Sequence, residues 1–235
     1  MNKKELVAKY RGLVNLACGI YNLPNLFRRR IKGTAKIQTS CAMLEKVNIH
    51  CKGQNNVIII EDFCRLKNCS IYISGNNNRI VIGKWSTLLN AELCIENSDN
   101  EILLGEHTRI LGKTHLAAIE GTKIIVGKDA MFSSDIHFRT GDSHSILDME
   151  GRRINASEDI ILGEHVWVGT KVTCLKGVSV PDHCIIGACA LVTGKFEKPN
   201  CILAGVPAKV VKENVDWSMV RIPVGEIAQD FAGKA

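Results

Sequence analysis

Residues 162–197, cut every six, read LGEHVW VGTKVT CLKGVS VPDHCI IGACAL VTGKFE. The first column of that array is Leu162, Val168, Cys174, Val180, Ile186 and Val192. The fifth is Val166, Val172, Val178, Cys184, Ala190 and Phe196. Both columns stay apolar while the other positions are mixed. Alternation with period two would mark an open sheet and period 3.6 a helix. Period six asks for one short flat strand per hexad, three hexads per triangular coil, and coils stacked so that like residues form ladders. First-column side chains are expected inside the prism. Fifth-column side chains, small or β-branched, are expected near its corners.

Upstream the same design recurs with a longer coil. Ile60, Ile82, Leu104 and Val126 are spaced by 22 residues, and in register with them run Cys64, Ser86, Thr108, Ala130 and then Leu66, Leu88, Ile110, Phe132. A further ladder is Cys51, Ile73, Ile95, Ala117. Each coil is preceded by a polar turn: Gln54-Asn55-Asn56, Asn76-Asn77-Asn78, Ser98-Asp99-Asn100, then Glu120-Gly121-Thr122. Asn, Asp and Gly tolerate the left-handed backbone that such a corner demands. These are 18-residue coils with about four extra residues at one corner. The spacing implies an all-β solenoid but not its hand, since left-handed crossovers are ordinarily disfavoured.

The repeat is interrupted once. Val126-Gly127 and Phe132-Ser133 begin regular hexads, and regularity returns at Leu162, 36 residues after Val126. One coil therefore carries a loop of about 18 extra residues, 139–158, centred on Arg139 to Ile146. A loop leaving a rigid stack is where chemistry is expected.

Three segments follow: an N-terminal helical cap (1–35), the solenoid (36–211) and a short tail (212–235). Leu6, Tyr10, Leu13, Val14, Ala17 and Tyr21 recur at helical spacing, and Pro24 is expected to end that helix. Capping the open end of the solenoid is the simpler role. Peripheral contact with a membrane surface is the alternative, favoured by Arg28-Arg29-Arg30. The tail, with Trp217, Val220 and Ile222, loses the period and is expected to pack on the coils or on a neighbouring subunit.

Bulk properties narrow the function. The net charge of +6 is modest and diffuse, which suits an anionic small molecule and argues against nucleic acid. The ten cysteines come without a secretory signal pattern, so free thiols in a reducing cytoplasm are expected. No C-x-x-C pair is present and no apolar run approaches 18 residues, which argues against a structural zinc site and a membrane span.

Seven histidines are present, most at outward hexad positions. His144 differs in lying on the interrupting loop, flanked by Asp142, Ser143 and Ser145. Histidine suits the base that acyl transfer to a hydroxyl requires. His137 is the rival. Asp142, Asp148 and Asp135 are candidates to orient the imidazole. Trp167, sixth in its hexad, faces outward, which a ligand or a partner explains better than core filling.

The [Leu/Ile/Val]-Gly-x4 pattern over roughly residues 40 to 210 resembles that of the hexapeptide-repeat acyltransferases. The resemblance implies a left-handed parallel β-helix and a homotrimer with its cofactor grooves between prisms. The segment Ser133 to His144 is similar to the one carrying the catalytic histidine in capsule and polysialic acid O-acetyltransferases. That likeness implies His144 as general base, with Asp142 and Trp167 in the active site and Trp167 beside the thioester. Ala204-Gly205-Val206-Pro207-Ala208-Lys209 looks like the Gly-x-Pro-Ala-Lys signature of CoA-dependent members. It implies acetyl-CoA as donor, Gly205, Pro207 and Ala208 beside the pantetheine arm, and Lys209 on a CoA phosphate. Gly169, Gly187, Ala188 and Thr193 are expected to border the same groove.

The expected reaction is acetyl transfer from acetyl-CoA to a hydroxyl of a sugar or surface-glycan precursor, by direct attack. An amino-sugar N-acetyltransferase is the nearest alternative. A non-catalytic solenoid and a metal-binding one are more distant. The carbonic anhydrases of this shape hold zinc through three histidines, two of them five residues apart. Here His137 and His144 are seven apart, so no metal is expected.

Overall fold

A computed structural model of the chain describes residues 9–27 and 31–228. Its strands assemble into three sheets that form the faces of a prism. The first face has eight strands, among them Ala91–Glu96, Thr114–Ile119, Ile136–Arg139 and Thr173–Cys174. Seven make the second, including Lys123–Val126 and Ile160–Leu162. Nine make the third, including Met131–Phe132, Trp167–Val168 and Ile185–Ile186. The chain visits the faces in turn, so each strand pairs in parallel with its counterparts one coil away. The exception is the closing hairpin on the third face, where Cys201–Gly205 pairs antiparallel with Ala208–Glu213.

Both apolar columns lie where the hexads put them. Leu162, Val168, Cys174, Val180, Ile186 and Val192 are buried, as are Val166, Val172, Val178, Cys184 and Ala190; Phe196 is partly so. Two phenylalanines, Phe132 and Phe138, fill the coil from which the long loop departs, with ring centroids 5.5 Å apart. Their burial fixes the strand that delivers the loop.

One ladder differs from the expected register. Cys51, Ile73 and Ile95 stack, but Ile95 pairs with Ala118, while Ala117 pairs with Cys94. Strand Ala91–Glu96 pairs with Thr114–Ile119 at a spacing of 23, although Arg109 sits 22 after Thr87. One residue is thus gained before Thr114. It is lost again at the Glu120–Thr122 corner, because Ile102 pairs with Ile124 at 22. Side chains alternate in and out along a strand, so a one-residue shift moves the inward position from Ala117 to Ala118.

The corners show why asparagine comes in runs. Asn55, Asn77 and Asp99 have positive φ (56, 58 and 65°). The next residue in each run, Asn56, Asn78 or Asn100, turns inward and is buried. Asn78 Nδ2 donates to Asn97 O (2.9 Å), and Asn78 Oδ1 accepts from Asn100 N (2.9 Å). The ladder continues when Asn100 Oδ1 accepts from Thr122 N (3.0 Å). Each buried amide satisfies backbone groups that a widened corner would leave unpaired.

The N-terminal helix, α1, runs Arg11–Phe27 and contains Pro24. Pro24 was expected to terminate it. Asn22 and Asn25, on either side of the proline, hold the helix to the exposed edge strand Met43–Glu45. Asn22 donates to Ala42 O and accepts from Leu44 N; Asn25 donates to Leu44 O and accepts from Val47 N. Tertiary bonds to an otherwise open sheet edge outweigh the one helical bond a proline removes. The helix therefore covers that edge, while Leu13, Leu16 and Ile20 face outward. Leu6 and Arg28 to Arg30 lie outside the described residues. No described helix is long and apolar enough to cross a membrane.

Candidate active site

The long loop leaves at the corner between the first and second faces, after Ile136–Arg139, and rejoins at Ile160. Its tip is a small hairpin with a Leu147–Arg153 bridge. Three anchors tie it to that corner. Arg153 grips Glu120 through both guanidinium nitrogens (2.7 and 2.8 Å), and Ser157 Oγ donates to the same carboxylate (2.7 Å). Lys176, one coil on, meets Asp142 at 2.5 Å. Asn155 donates to both Asp142 Oδ2 (2.9 Å) and His144 O (2.8 Å).

Within this frame His144 is exposed, and among the described residues its imidazole has no hydrogen-bond partner. None of the three candidate carboxylates reaches it. Asp142 is bound to Lys176 and Asn155, and the Lys176 ammonium first, then the Asn155 amide, holds its carboxyl below the usual range. Asp148 caps its own hairpin, accepting from Glu150 N and Arg152 N. Asp135, at positive φ, occupies the corner between the third and first faces. His137 lies on the outer surface of the first face, 6.1 Å from the His115 ring.

The Arg153 fork and the Ser157 hydroxyl hold the Glu120 carboxyl down to about 2, from a normal 4.5. A carboxylate depressed in the folded state stabilises above 4.5 and loses that contribution as the pH falls toward about 2. Both partners are about one-third exposed, so the pair is screened and its contribution is small. Glu120→Gln at neutral pH is expected to speed amide exchange across 146–155 about 2- to 5-fold, the range for an exposed ion pair. The rest of the solenoid should not change. Unaltered exchange in the loop would show that the anchor is dispensable.

The other expected site residues lie elsewhere on the prism. Trp167 is half-buried on the third face, paired in register with Met131 and Ile185. It is covered by the tail of its own chain, where Trp217 lies 5.9 Å away. The Trp167 Nε1 atom is buried with no acceptor among the described residues. Gly169 and Gly187 stack at the corner between the third and first faces, Gly169 N bonding Ile186 O and Gly187 N bonding Leu203 O. A Cβ at Gly169 would meet Ile186 O at 2.7 Å, so coil packing alone demands glycine there. Ala188 is exposed on the same corner. The turn Gly205-Val206-Pro207-Ala208 closes the terminal hairpin with Gly205 at φ 103°, and Lys209 follows it in the open. Thr193 stands apart from this group, following Leu191–Val192 at the corner between the first and second faces.

In one chain, then, His144, Asp142 and Thr193 occupy one corner of the triangle. Trp167, the stacked Gly169 and Gly187, and the Gly205 turn occupy the face opposite it and that face's far corner. The loop's anchors, Arg153 and Lys176, have no local mark in the sequence, because each finds its partner across a coil, while Asn155 braces the loop from within.

Ten free thiols are present, eight of them buried. Burial pushes Cys64 up to about 12 and Cys94 up to about 11, and raises Cys174 as well. Thiols held protonated in this way are poor nucleophiles. Cys189 is the exposed one.

The chain is 31% identical to the polysialic acid O-acetyltransferase OatWY in its crystal structure, with 82% of this chain and 94% of that one covered and a TM-score of 0.55. The structure of the polySia-specific acetyltransferase NeuO superposes with a TM-score of 0.63 at 28% identity, over 77% of this chain and 92% of that one. A polysialic acid O-acetyltransferase of Neisseria meningitidis is 35% identical over 107 residues, 45% of this chain and 50% of that protein. The chain thus spans about half the length of that curated relative. No family model matches the chain. The two structures share its left-handed wind.

Proposed function

The chain belongs to the left-handed β-helix, hexapeptide-repeat acyltransferases of the polysialic acid O-acetyltransferase type, and from that we propose that it moves an acetyl group from acetyl-CoA to a hydroxyl of a sugar or surface-glycan precursor. The observation that carries this reading is the His144 imidazole, exposed on an anchored loop and without a hydrogen-bond partner among the described residues. His144 takes the proton of the acceptor hydroxyl as its oxygen attacks the thioester carbonyl. The carbon–sulfur bond then breaks, and the departing CoA thiolate recovers that proton. Depressed thiol reactivity at the buried cysteines favours direct attack over an acyl-cysteine.

The donor fits the third face. Trp167 offers an indole N–H without an acceptor among the described residues, and a buried donor left unmade costs about 1–3 kcal/mol. The exposed Gly205–Pro207 turn and Lys209 sit at the outer end of that face, suited to a pantetheine arm and a phosphate. Gly169, Gly187 and Ala188 line the adjoining corner. Asp142 positions the loop through Lys176 and Asn155.

Because His144 and Trp167 lie on opposite sides of one prism, a complete site needs a second copy. A homotrimer would supply it, each His144 loop reaching the third face of a neighbour. Thiol release from acetyl-CoA, measured across sugars, amino-sugars and nucleotide-sugars, tests the reaction; faster turnover on amines than on hydroxyls would replace O- with N-acetylation. Co-assembling His144→Ala with Trp167→Ala chains tests the shared site. Mixed assemblies should recover part of the wild-type rate that neither variant has alone. No recovery would place the whole site in one chain.

A further inference from the structure

His165 and His183 occupy equivalent positions one coil apart on the corner between the second and third faces, with φ of 54 and 58°. Their rings lie 5.1 Å apart. The tail brings a carboxylate to them: His183 Nδ1 is 3.1 Å from Asp216 Oδ2, and His165 Nε2 is 3.5 Å from Asp216 Oδ1. One ligand atom from each of the three residues lies within 4.8 Å of the others. They line a cleft of about 490 Å³ that also holds Glu164 and Asp129.

We propose that His165, His183 and Asp216 form a site for a divalent transition-metal ion, zinc being the chemistry it fits best, which clamps the C-terminal tail to the solenoid. Two imidazoles and one carboxylate, with room for water, match the donor set and open position of a three-ligand zinc site. The geometry is near what such an ion needs. Ligands at about 2.1 Å from a tetrahedral centre stand roughly 3.4 Å from one another, and the two nitrogen–oxygen spacings here straddle that value. Without an ion, His183 Nδ1 pairs with Asp216 Oδ2, while His165 Nε2 donates to the Trp217 carbonyl oxygen (3.0 Å) beside the same carboxylate. With one, His165 Nε2 exchanges its bond to the Trp217 carbonyl for a coordinate bond, and the His183 and Asp216 atoms close on the ion.

The surroundings fix the ligands in place. The two histidines are part of the stacked coils, with His183 N bonding Glu164 O and His165 N bonding Lys128 O. Trp217 stacks on the His165 ring at 4.2 Å and 11°, and its Nε1 donates to His165 O (2.8 Å). Such supporting contacts set ring orientation in metal sites. Since Trp217 also faces Trp167, an occupied site would hold a wall of the third face in place. Sequence spacing conceals the site, because its histidines are one full coil apart and its carboxylate comes from the tail. The site does not depend on the acetyl-transfer reading.

Tag-free, chelator-treated full-length protein should bind one Zn2+ per chain by calorimetry. Co2+ should give visible d–d absorption of a four- or five-coordinate site, and Zn2+ should raise the thermal midpoint in a concentration-dependent way. His183→Gln and the near-isosteric Asp216→Asn should each weaken binding by about 100-fold or more, beyond the usual cost of losing an outer partner. His50→Gln, on the first face, should bind as wild type does. Absence of a stoichiometric site overturns the proposal. So does binding that survives both ligand substitutions.

Discussion

His144→Ala is expected to lower turnover by about 100-fold or more, the usual contribution of a general base, while leaving the thermal midpoint where it was. The two halves of that expectation have separate causes. Loss of rate follows from removing the group that takes the acceptor's proton. Unchanged stability follows from the side chain's surroundings: the imidazole is exposed, makes no hydrogen bond among the described residues, and fills no core. The loop keeps its place through Arg153, Ser157, Lys176 and Asn155, and the Asn155 bond goes to the backbone carbonyl of residue 144, which alanine preserves. His137→Ala is the matched comparison, since that ring lies on the outer surface of the first face beside His115. Full activity in His144→Ala, or an equal loss in His137→Ala, would reject His144 as the base.

The largest expected effect on stability lies in the corner ladder. Asn78→Ala removes the acceptor for the buried Asn100 N–H and the donor for the partly buried Asn97 O. Asn56 Oδ1 keeps its bond to the residue-78 backbone N–H, so the damage is confined to the side-chain contacts. Stranding the buried Asn100 N–H costs about 1–3 kcal/mol and the partly buried Asn97 O somewhat less, a loss of roughly 2–5 kcal/mol. In a chain of this size that lowers the thermal midpoint by roughly 5–20 °C. Asn77→Gly, one residue earlier, should be nearly neutral. Asn77 sits at φ 58° with its side chain in the open, and glycine adopts that backbone freely. Similar losses at the two positions would mean that the ladder does not carry the corner. Thermal scans of both variants make the comparison.

The two adjacent asparagines also mark how far sequence reading reaches. The run Asn76-Asn77-Asn78 is legible as a left-handed corner, because asparagine tolerates that backbone. Which member supplies the corner and which turns inward is settled only by the coil stacked above and below. Pro24 teaches the same point. Its local chemistry predicts a helix end, and α1 continues because Asn22 and Asn25 bind a sheet edge about 20 residues distant.

The candidate site divides in the same way. The interruption of the hexads is countable, so the loop and His144 are visible in the chain. The likeness of the Ser133–His144 segment and of the Gly205–Lys209 turn supplies candidate roles. Their separation by the width of the prism is invisible in a linear string. So is the capture of Asp142 by Lys176, which lies 34 residues away but only one coil on.

The sequence by itself determined the period, and with it a three-sided column filled by ladders of Ile, Val, Leu and Cys, because a side chain repeating every six residues can be buried in no other regular way. Tertiary structure decided everything that passes between coils or from an end onto the stack: the one-residue slip at Ala118, the anchors of the loop, the amide pairing of α1, and the docking of Asp216 and Trp217 on His165 and His183. Those contacts join residues whose distance along the chain bears no relation to their distance in space, and a local pattern carries no record of them.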